Sequence, residues 1–136
     1  MKMDYNKTII LLCGFIGSGK TTYANKKFNH VTDLDYMPAF SSKINQINLT
    51  LNLLKKYDEV CHITCFPTKD EMRAFKKFNK KFLLMDTNLS QCKTNILIRA
   101  RPRDLMNLNR VFKANIDYQR KYKLSGINWE LVKVFK

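Results

Sequence analysis

The sequence predicts a three-layer α/β fold, in which helices cover both faces of a central parallel sheet of about five strands. Short apolar runs alternate with amphipathic helical stretches along the whole chain, a pattern typical of parallel sheets. The apolar run at residues 8–13 is continuous, as expected of a strand buried on both faces. A length of 136 residues suits one domain, so we assign residues 1–136 to a single unit.

In the first half of the chain, the strand at residues 8–13 leads into a glycine-rich turn and a helix predicted over residues 20–28. Residues 30–35 are predicted to form a short second strand that ends in two acids. A second helix follows, with Ser41 or Ser42 as its cap. Steps of four and three residues place its apolar side chains on one stripe: Phe40, Ile44, Ile47, Leu51 and Leu54.

Two more strands are predicted in the middle of the chain, over residues 59–66 and 81–86. Between them, Thr68 and Glu71 have the spacing of a capping box, in which each side chain bonds the backbone of the other residue. This pair opens a helix that we expect to reach about Asn79.

The last part of the chain is predicted to hold two helices and a final strand. The first helix covers residues 90–99 and runs into an arginine-rich connection, residues 99–104, which we interpret as a short lid. Ser125-Gly126 then breaks the chain before a strand over residues 129–135. The second helix has an apolar stripe formed by Leu105, Leu108, Phe112 and Ile116.

The net charge of the chain is +14, from 25 Lys and Arg against 11 Asp and Glu. A domain this basic favours polyanions, so nucleic acid is an expected partner. A solvated, lysine-rich surface explains the same charge, because net charge bears on association and not on fold. No run of about 18 apolar residues is present, so no membrane partner is expected. Residues 1–8 lack the features of a secretory leader, which predicts a cytoplasmic protein.

The cysteines are typical of small buried residues in a reducing compartment, because three of the four lie in apolar, strand-like runs. A zinc site at Cys61, His62 and Cys65 is not expected, since no second ligand pair has a suitable spacing. On a strand, His62 would also point to the face opposite both thiols. The four cysteines of the chain are Cys13, Cys61, Cys65 and Cys92.

The segment between the first strand and the first helix carries the strongest motif of the chain. Gly14, Gly19, Lys20 and Thr21 satisfy the pattern G-x-x-x-x-G-K-[ST], the phosphate-binding loop or P-loop. Glycines let the backbone N–H groups and the helix N-terminus cradle a phosphate. Lys20 adds a positive charge at the β- and γ-phosphates, and the Thr21 hydroxyl binds Mg²⁺. The motif therefore predicts binding of ATP with Mg²⁺.

The residues at the ends of the predicted strands help to distinguish the classes of P-loop proteins. Motors and GTPases usually need an acid at the end of a neighbouring strand to hold Mg²⁺. The predicted third strand ends in Cys65-Phe66 without one, and Asp86, after the fourth strand, is the only formal candidate. The chain is also too short for most motor domains. Both points favour a compact kinase.

Asp33 and Asp35 end the predicted second strand, where parallel α/β sheets bind their ligands. If the strand persists through them, both side chains point to one face. Asp35 is our candidate for the catalytic base that takes the proton of an acceptor hydroxyl, and Asp33 is our candidate for holding a magnesium-bound water. A turn acid or a helix cap near Pro38 is the alternative interpretation.

Arg99, Arg101 and Arg103 form a dense cationic segment that suits a lid over ATP, since planar guanidinium groups stabilise the charge of a phosphate in transfer. A solvated helix end is the alternative. A wider basic stripe, which fits either a nucleic-acid backbone or solvent, is formed by Arg103, Arg110, Lys113 and Arg120.

With these features in place, the sequence resembles the 5′-kinase domain of bacteriophage polynucleotide kinase and its P-loop kinase relatives. Four stretches, covering most of the chain, carry the resemblance. They are the first strand and phosphate loop (residues 9–22), the acid Asp35, residues 63–73, and residues 81–103. The family usually has an arginine shortly after the catalytic acid, whereas Tyr36-Met37-Pro38 stands here. Phage kinases that phosphorylate hydroxymethylated bases in DNA are a neighbouring class. Kinases of the shikimate and gluconate type share an acid-x-acid motif after the second strand, as Asp33-Leu34-Asp35 does here.

The resemblance implies that residues Gly14, Gly17, Ser18, Gly19, Lys20, Thr21 and Thr22 bind the nucleotide, that Thr21 and Asp33 hold the metal, and that Asp35, Lys20, Arg99, Arg101 and Arg103 serve catalysis. The loop and the acid pair favour a kinase, and the net charge favours a nucleic-acid hydroxyl as its acceptor, at a 5′ end or on a hydroxymethylated base. The resemblance implies a phage protein of a bacterial host. A kinase of nucleosides, nucleotides or other small metabolites is the first alternative. A non-catalytic nucleotide-binding regulator is the second.

Overall fold

The computed structural model describes residues 4–134, in which strands and helices alternate along the chain. The strands are β1 (Asp4–Cys13), β2 (Val31–Thr32), β3 (Glu59–Ile63), β4 (Phe78–Met85) and β5 (Glu130–Val132). The helices are α1 (Lys20–Lys27), α2 (Lys43–Leu54), α3 (Lys69–Ala74), α4 (Leu89–Arg99), α5 (Pro102–Leu105) and α6 (Leu108–Leu124). A 3-10 turn, Leu34–Tyr36, follows β2.

The strands form one five-stranded sheet in the order β2-β3-β1-β4-β5, and each neighbouring pair is parallel. The predicted three-layer fold with a parallel sheet is therefore confirmed. Because the strands are parallel, their carboxyl ends lie at one edge, where ligands of such sheets bind. The central strand β1 delivers its following loop to the middle of that edge.

The core lies on both faces of β1, as the continuous apolar run predicts. Ile9 and Leu11 pack with side chains of α2, α3 and α6 on one face. Ile10 and Leu12 pack with Ala24 of α1 on the other. These four strand residues are at most 2% exposed, and each contributes about 1.5–3 kcal/mol of burial free energy.

Helix starts follow their local sequence closely. Thr68 accepts a hydrogen bond from the Glu71 N–H at 3.1 Å and its own N–H donates to the Glu71 carboxylate at 2.9 Å, which confirms the predicted capping box. Ser42 makes the equivalent box with Asn45. Such caps pair the N–H groups that a helix start leaves without partners.

Several element ends differ from the prediction, among them that of the third strand, which ends at Ile63 instead of residue 66. The third helix ends at Ala74 instead of Asn79, because Phe75 and Phe78 turn into the core and Asn79 pairs with β1. The second strand ends at Thr32, because Asp33 caps the 3-10 turn by accepting the Asp35 N–H at 3.1 Å. Short polar side chains of this type often draw the backbone out of a strand. The final strand is shorter than predicted, and Phe135 lies outside the described residues.

The two predicted apolar stripes are only partly correct. Ile47 and Leu54 are buried, but Ile44 is exposed, because α2 turns a polar face towards the sheet. Phe40 is also exposed and lies before the start of α2. Likewise Ile116 is half exposed on α6, whose most buried residues are Asn115 and Tyr122. Leu105 lies on the separate helix α5 and is 43% exposed. In both helices, polar side chains with specific partners displace apolar residues from the inner face.

Candidate active site

The phosphate loop lies between β1 and α1, where the motif predicts it. Gly17 and Gly19 have φ values of 82° and 92°, in the left-handed region that favours glycine. A Cβ on Gly17 would lie 2.8 Å from the carbonyl oxygen of Cys92, so α4 packs directly against the loop. The loop therefore needs glycine both for its backbone shape and for its contact with α4.

Polar side chains from the second half of the chain brace this loop. Asn115 accepts the N–H of Ile16 at 2.7 Å and donates to its carbonyl oxygen at 3.0 Å. Asn95 donates to the Gly17 carbonyl at 2.8 Å. The Thr87 hydroxyl donates to the Ser18 carbonyl at 2.8 Å. Sequence reasoning missed all three; for Asn115 the only signal was a polar residue within an apolar helix face.

Lys20 extends beneath the loop that it follows. Its Nζ donates to the carbonyl oxygens of Gly14 at 2.9 Å and Phe15 at 2.8 Å, and lies 3.6 Å from the Cys65 sulfur. These contacts hold the charge at the mouth of the loop. A bound phosphate offers a stronger partner than a carbonyl, because it is itself charged.

Thr21 and Asp33 are brought together as the predicted metal-binding pair. The Thr21 hydroxyl donates to the Asp33 carboxylate at 2.6 Å. The same carboxylate accepts the N–H of Asp35, so the 3-10 turn orients it. The prediction that Asp33 and Asp35 share a strand face is wrong, since the turn between them gives the two carboxylates different partners.

Asp35 faces the arginine-rich segment. Its carboxylate oxygens lie 2.6 Å from Arg103 Nη2 and 3.0 Å from Arg101 Nη1. Partial burial raises the pKa of Asp35, but the hydrogen bonds and charges of Arg103 and then Arg101 outweigh burial, so that the pKa is lowered. The carboxylate is therefore charged at neutral pH. The structure thus brings the candidate base and two lid arginines into direct contact.

The third lid arginine has a different partner. Arg99, at the end of α4, lies 3.0 Å from Asp104, whose side chain is 8% exposed. This pair spans the break that Ala100 makes between α4 and α5, where φ is 50°. Arg99 therefore fixes the shape of the lid, while Arg101 and Arg103 reach across to Asp35.

One cavity of about 730 Å³ collects these groups. A cavity of this size suits a nucleotide-sized ligand. Gly14 is outside its wall and packs against Ser18 and Met85. The predicted site residues that line it are Gly17, Ser18, Gly19, Lys20, Thr21, Thr22, Asp33, Asp35, Arg99, Arg101 and Arg103.

A buried polar network that the sequence did not reveal lies under the cavity, where β2 and β3 end. His62 and Glu71 are both fully buried and bonded through His62 Nε2. Thr50 lies 2.7 Å from His62 Nδ1, so the neutral tautomer that suits both partners carries its proton on Nε2. On the cavity side, Lys43 Nζ lies 3.4 Å from Glu71 and 3.3 Å from the Thr64 hydroxyl.

Four other candidates lie outside the cavity wall: Asp86, Arg110, Lys113 and Arg120. Asp86 is outside the cavity wall and pairs with Lys133 at 3.5 Å, so it is not placed to hold a metal at the loop. Arg103 belongs to α5 and not to the α6 stripe, because the chain breaks into two helices at Asn107. The rest of the predicted stripe, on α6, is exposed: Arg110, Lys113 and Arg120.

The loop fits the phosphates of a nucleotide. Gly19 caps α1 without a side-chain acceptor, and the first turn of α1 holds no acid. The first N–H groups of α1 thus face the loop with no side chain to pair them. The Ser18 hydroxyl is buried beside Gly14 with no hydrogen-bond partner among residues 4–134, and the Ser18 N–H donates to the Phe15 carbonyl oxygen at 3.1 Å. The oxygens of Thr21 and Asp33 are of the type that Mg²⁺ prefers.

This arrangement defines a class: the chain has the three-layer P-loop fold of the kinase type. Among solved structures, it is similar to a gluconokinase from Sinorhizobium meliloti 1021, with a TM-score of 0.60, 11% identity, and coverage of 98% of this chain and 86% of that one. It is also similar to the deoxyadenosine kinase of M. mycoides with bound dATP, with a TM-score of 0.57, 12% identity, and coverage of 92% and 89%.

A second structure of that deoxyadenosine kinase, with the products dCMP and dCDP bound, matches at a TM-score of 0.56 and 13% identity, covering 93% of this chain and 88% of that one. No protein-family model and no curated protein sequence matches the chain. At these identities the likeness shows the fold. The resemblance to phage polynucleotide kinase stays a prediction.

Among the helices of residues 4–134, none has both the length and the apolar character needed to cross a bilayer.

Proposed function

We propose that this chain is an ATP- and Mg²⁺-dependent kinase that transfers the γ-phosphate to a hydroxyl of a small metabolite. One observation carries the proposal: the phosphate loop with Lys20 opens into the same cavity as Asp35 and its two arginines. A loop alone indicates nucleotide binding, whereas a loop that faces a carboxylate across a cavity also has the acceptor side of a transfer reaction.

Each group has a role in the proposed reaction. Lys20 and the loop N–H groups bind the β- and γ-phosphates. Thr21 and Asp33 hold Mg²⁺, which neutralises phosphate charge when bound. Asp35 orients the acceptor hydroxyl and takes its proton as the oxygen–phosphorus bond forms and the bond to the β-phosphate oxygen breaks. Arg101 and Arg103 pair with the transferring phosphate.

In the structure, both of these arginines bind Asp35. Phosphates compete for guanidinium groups, because they offer bidentate charged acceptors. Withdrawal of the arginines would remove the interactions that lower the pKa of Asp35, and would leave a stronger base beside the acceptor. ATP binding and activation of the base are therefore coupled in this proposal.

The small-metabolite acceptor is supported by the solved neighbours, which are named a gluconokinase and a deoxyadenosine kinase. A hydroxyl of a nucleic acid, at a 5′ end or on a hydroxymethylated base, is the second candidate acceptor. The net charge of +14 favours it, as do the exposed cations Arg110, Lys113 and Arg120 on α6.

The test is transfer of labelled γ-phosphate from ATP in the presence of Mg²⁺. Separate reactions hold sugar acids, a nucleoside and nucleotide panel, 5′-hydroxyl oligonucleotides and hydroxymethyluracil DNA. The matched variants are Lys20→Ala and Lys26→Ala, the latter on the exposed face of α1. Label on a small compound that is lost only with Lys20→Ala supports the main proposal.

Label on DNA alone would replace it by the second candidate. No transfer to any acceptor, with ATP binding intact, would instead indicate a non-catalytic nucleotide-binding protein.

A further inference from the structure

Lys43 is the one cation of the cavity wall, within residues 4–134, that neither takes part in the proposed catalytic steps nor belongs to the lid. It is the first residue of α2 and lines the part of the cavity formed by the 3-10 turn and the end of β3. The other cations already have roles: Lys20 in the loop, Arg99 on Asp104, and Arg101 and Arg103 on Asp35.

Buried acceptors hold the Lys43 ammonium from the protein side. Its Nζ lies 3.0 Å from the Gln46 amide oxygen, 3.3 Å from the Thr64 hydroxyl and 3.4 Å from the Glu71 carboxylate. These three partners are between 0 and 5% exposed, whereas the Lys43 side chain is 31% exposed. The ammonium is thus fixed at the boundary between the buried network and the cavity.

The distances leave this ammonium able to bind a ligand. Only the contact with Gln46 lies within the usual range of about 2.7–3.2 Å for an N–H···O bond. The longer contacts, to Thr64 and Glu71, are those that a charged ligand can replace most easily. Glu71 does not itself reach the cavity, because it is fully buried.

Lys43 does not stabilise the start of α2 through the helix dipole. Lys43 occupies the first turn of a 12-residue helix that has no acid in that turn. The positive end of a helix disfavours lysine and favours an anion. The helix end and the ammonium therefore add to the same positive potential at the wall of the cavity.

We propose that Lys43 binds an anionic group of the phosphate acceptor, so that the acceptor is a hydroxyl compound carrying a carboxylate or a phosphate and not a neutral sugar or nucleoside. This inference rests on the proposed kinase function. Gln46, Thr64 and Glu71 act as positioning residues for the ammonium, and Asp35, which lines the same cavity, receives the hydroxyl.

The experiment compares matched acceptors that differ in one anionic group: D-gluconate with D-glucose, and dCMP with deoxycytidine. kcat and KM are measured at saturating ATP for the wild type, Lys43→Met and Lys43→Arg. Lys56→Met is the control, since Lys56 is exposed beyond the end of α2 and outside the cavity wall. Lys43→Gln, which keeps a donor without the charge, replaces Lys43→Met if that variant does not fold.

The wild type should prefer the charged member of at least one pair. A preference for D-gluconate indicates a carboxylate site, and a preference for dCMP indicates a phosphate site. Lys43→Met should raise the KM for that member by about tenfold or more, which corresponds to about 1.4 kcal/mol, and change the KM for ATP less than twofold. Lys43→Arg should restore part of the loss. Equal use of both members of each pair, or an equal rise of the KM for ATP, would overturn the inference.

Calorimetric binding of the four compounds, with a non-hydrolysable ATP analogue bound, separates this inference from the kinase function. Binding of an anionic compound that depends on Lys43, without transfer, would refute the kinase function and leave the anion site standing. Transfer that depends neither on Lys43 nor on the charge of the acceptor would support the kinase function and refute the anion site. Failure of the wild type to bind either anionic compound would also overturn the inference.

Discussion

Asp33 and Asp35 are two residues apart, yet the 3-10 turn gives them separate tasks. Asp33 is turned to the hydroxyl of Thr21, while Asp35 is turned to the lid. A strand would have placed both carboxylates on one face. The separation of the proposed metal carboxylate from the proposed base carboxylate therefore depends on a local hydrogen bond from the Asp35 N–H to Asp33.

The two acids should accordingly respond differently to the loss of charge. We expect Asp35→Asn to lower kcat by about 10²–10⁴-fold with little change in ATP affinity, because the acceptor loses its base. Asp33→Asn should instead raise the Mg²⁺ concentration needed for half-maximal rate. Both are measured by Mg²⁺ titration of the initial rate, with the exposed Asp58→Asn as the control. Indistinguishable profiles for the two variants would contradict the division of roles.

Asn115 offers a second test with a single side chain. It exchanges two hydrogen bonds with the backbone of Ile16 and is 2% exposed, so Asn115→Ala leaves a buried N–H and a carbonyl unpaired. The free energy of unfolding should fall by about 1–3 kcal/mol, and ATP should bind more weakly because the loop loses its brace. Urea unfolding and calorimetry measure the two effects. Asn109→Ala, exposed on the same helix, should leave both unchanged.

Among the elements, the lid is defined by its ion pairs more than by its length. α5 has four residues and is joined to α4 through the Arg99–Asp104 pair. Arg101, which precedes α5, and Arg103, which belongs to it, cross to Asp35. A short element of this kind can change partners without disturbing the core, because few apolar contacts hold it.

Removal of the crossing arginines should therefore affect the chemical step. We expect Arg101→Met and Arg103→Met each to lower kcat by about 10²–10³-fold, the usual effect of losing a donor to developing charge. The melting temperature should change little, since both arginines are at least partly exposed. Arg110→Met on the outer face of α6 is the control for both measurements. A normal kcat in both variants would show that the lid arginines take no part in the proposed reaction.

The network between β3 and α3 makes stability depend on pH. Burial raises the pKa of Glu71, but the hydrogen bond from His62 and the charge of Lys43 outweigh it and lower the pKa from 4.5 to about 2. For His62, burial lowers the pKa below 6.5, despite the opposite effect of Glu71. Both groups thus bind protons more weakly in the folded state than in the unfolded state.

The sign of the effect follows from linkage. The stabilisation by neutral His62 should decline as the pH falls below about 6.5, and that by charged Glu71 as the pH falls from about 4.5 towards 2. We expect the free energy of unfolding in urea to decrease steadily from pH 7 to pH 4. His30→Gln should keep this dependence, because His30 lies outside the network and stacks on Tyr57. His62→Gln should reduce it between pH 6.5 and 5; an unchanged profile would contradict the assignment.

At the scale of the whole molecule, charge and cavity suggest different partners. The net charge of +14 favours polyanions, but most of the basic residues lie outside the cavity wall. Surface charge draws any polyanion to the protein, whereas the cavity selects the molecule that reacts. The two properties can therefore be separated experimentally.

Duplex DNA should bind at 50 mM salt and be released steeply by 200 mM, with a slope of about −0.9 per phosphate contact in a log–log plot. Replacement of Arg110, Lys113 and Arg120 by serine should reduce that slope by about 2.7 if all three contact phosphates, and leave transfer to a small acceptor unchanged. Fluorescence anisotropy measures the binding. A slope unaffected by the triple change would place the DNA contacts elsewhere, and impaired transfer to the small acceptor would tie α6 to the reaction.

The sequence by itself determined the layer architecture and the nucleotide side of the site. The apolar run of β1 and the pattern from Gly14 to Thr21 depend only on residue type and spacing, so both can be identified without knowledge of tertiary contacts. The capping box at Thr68 is equally local. The expected cytoplasmic location, the phage origin and the nucleic-acid acceptor stay predictions.

The tertiary structure alone decided which residues form the proposed acceptor side. That Asp35 meets Arg101 and Arg103, more than 60 residues away, follows from the placement of α5 across the sheet edge. That Lys43 contacts Glu71 follows from the packing of α2 and α3 on β3, which also turned Ile44 outward. Side-chain period shows which residues share a face of one element, but a site made from several elements depends on their packing, which no local pattern records.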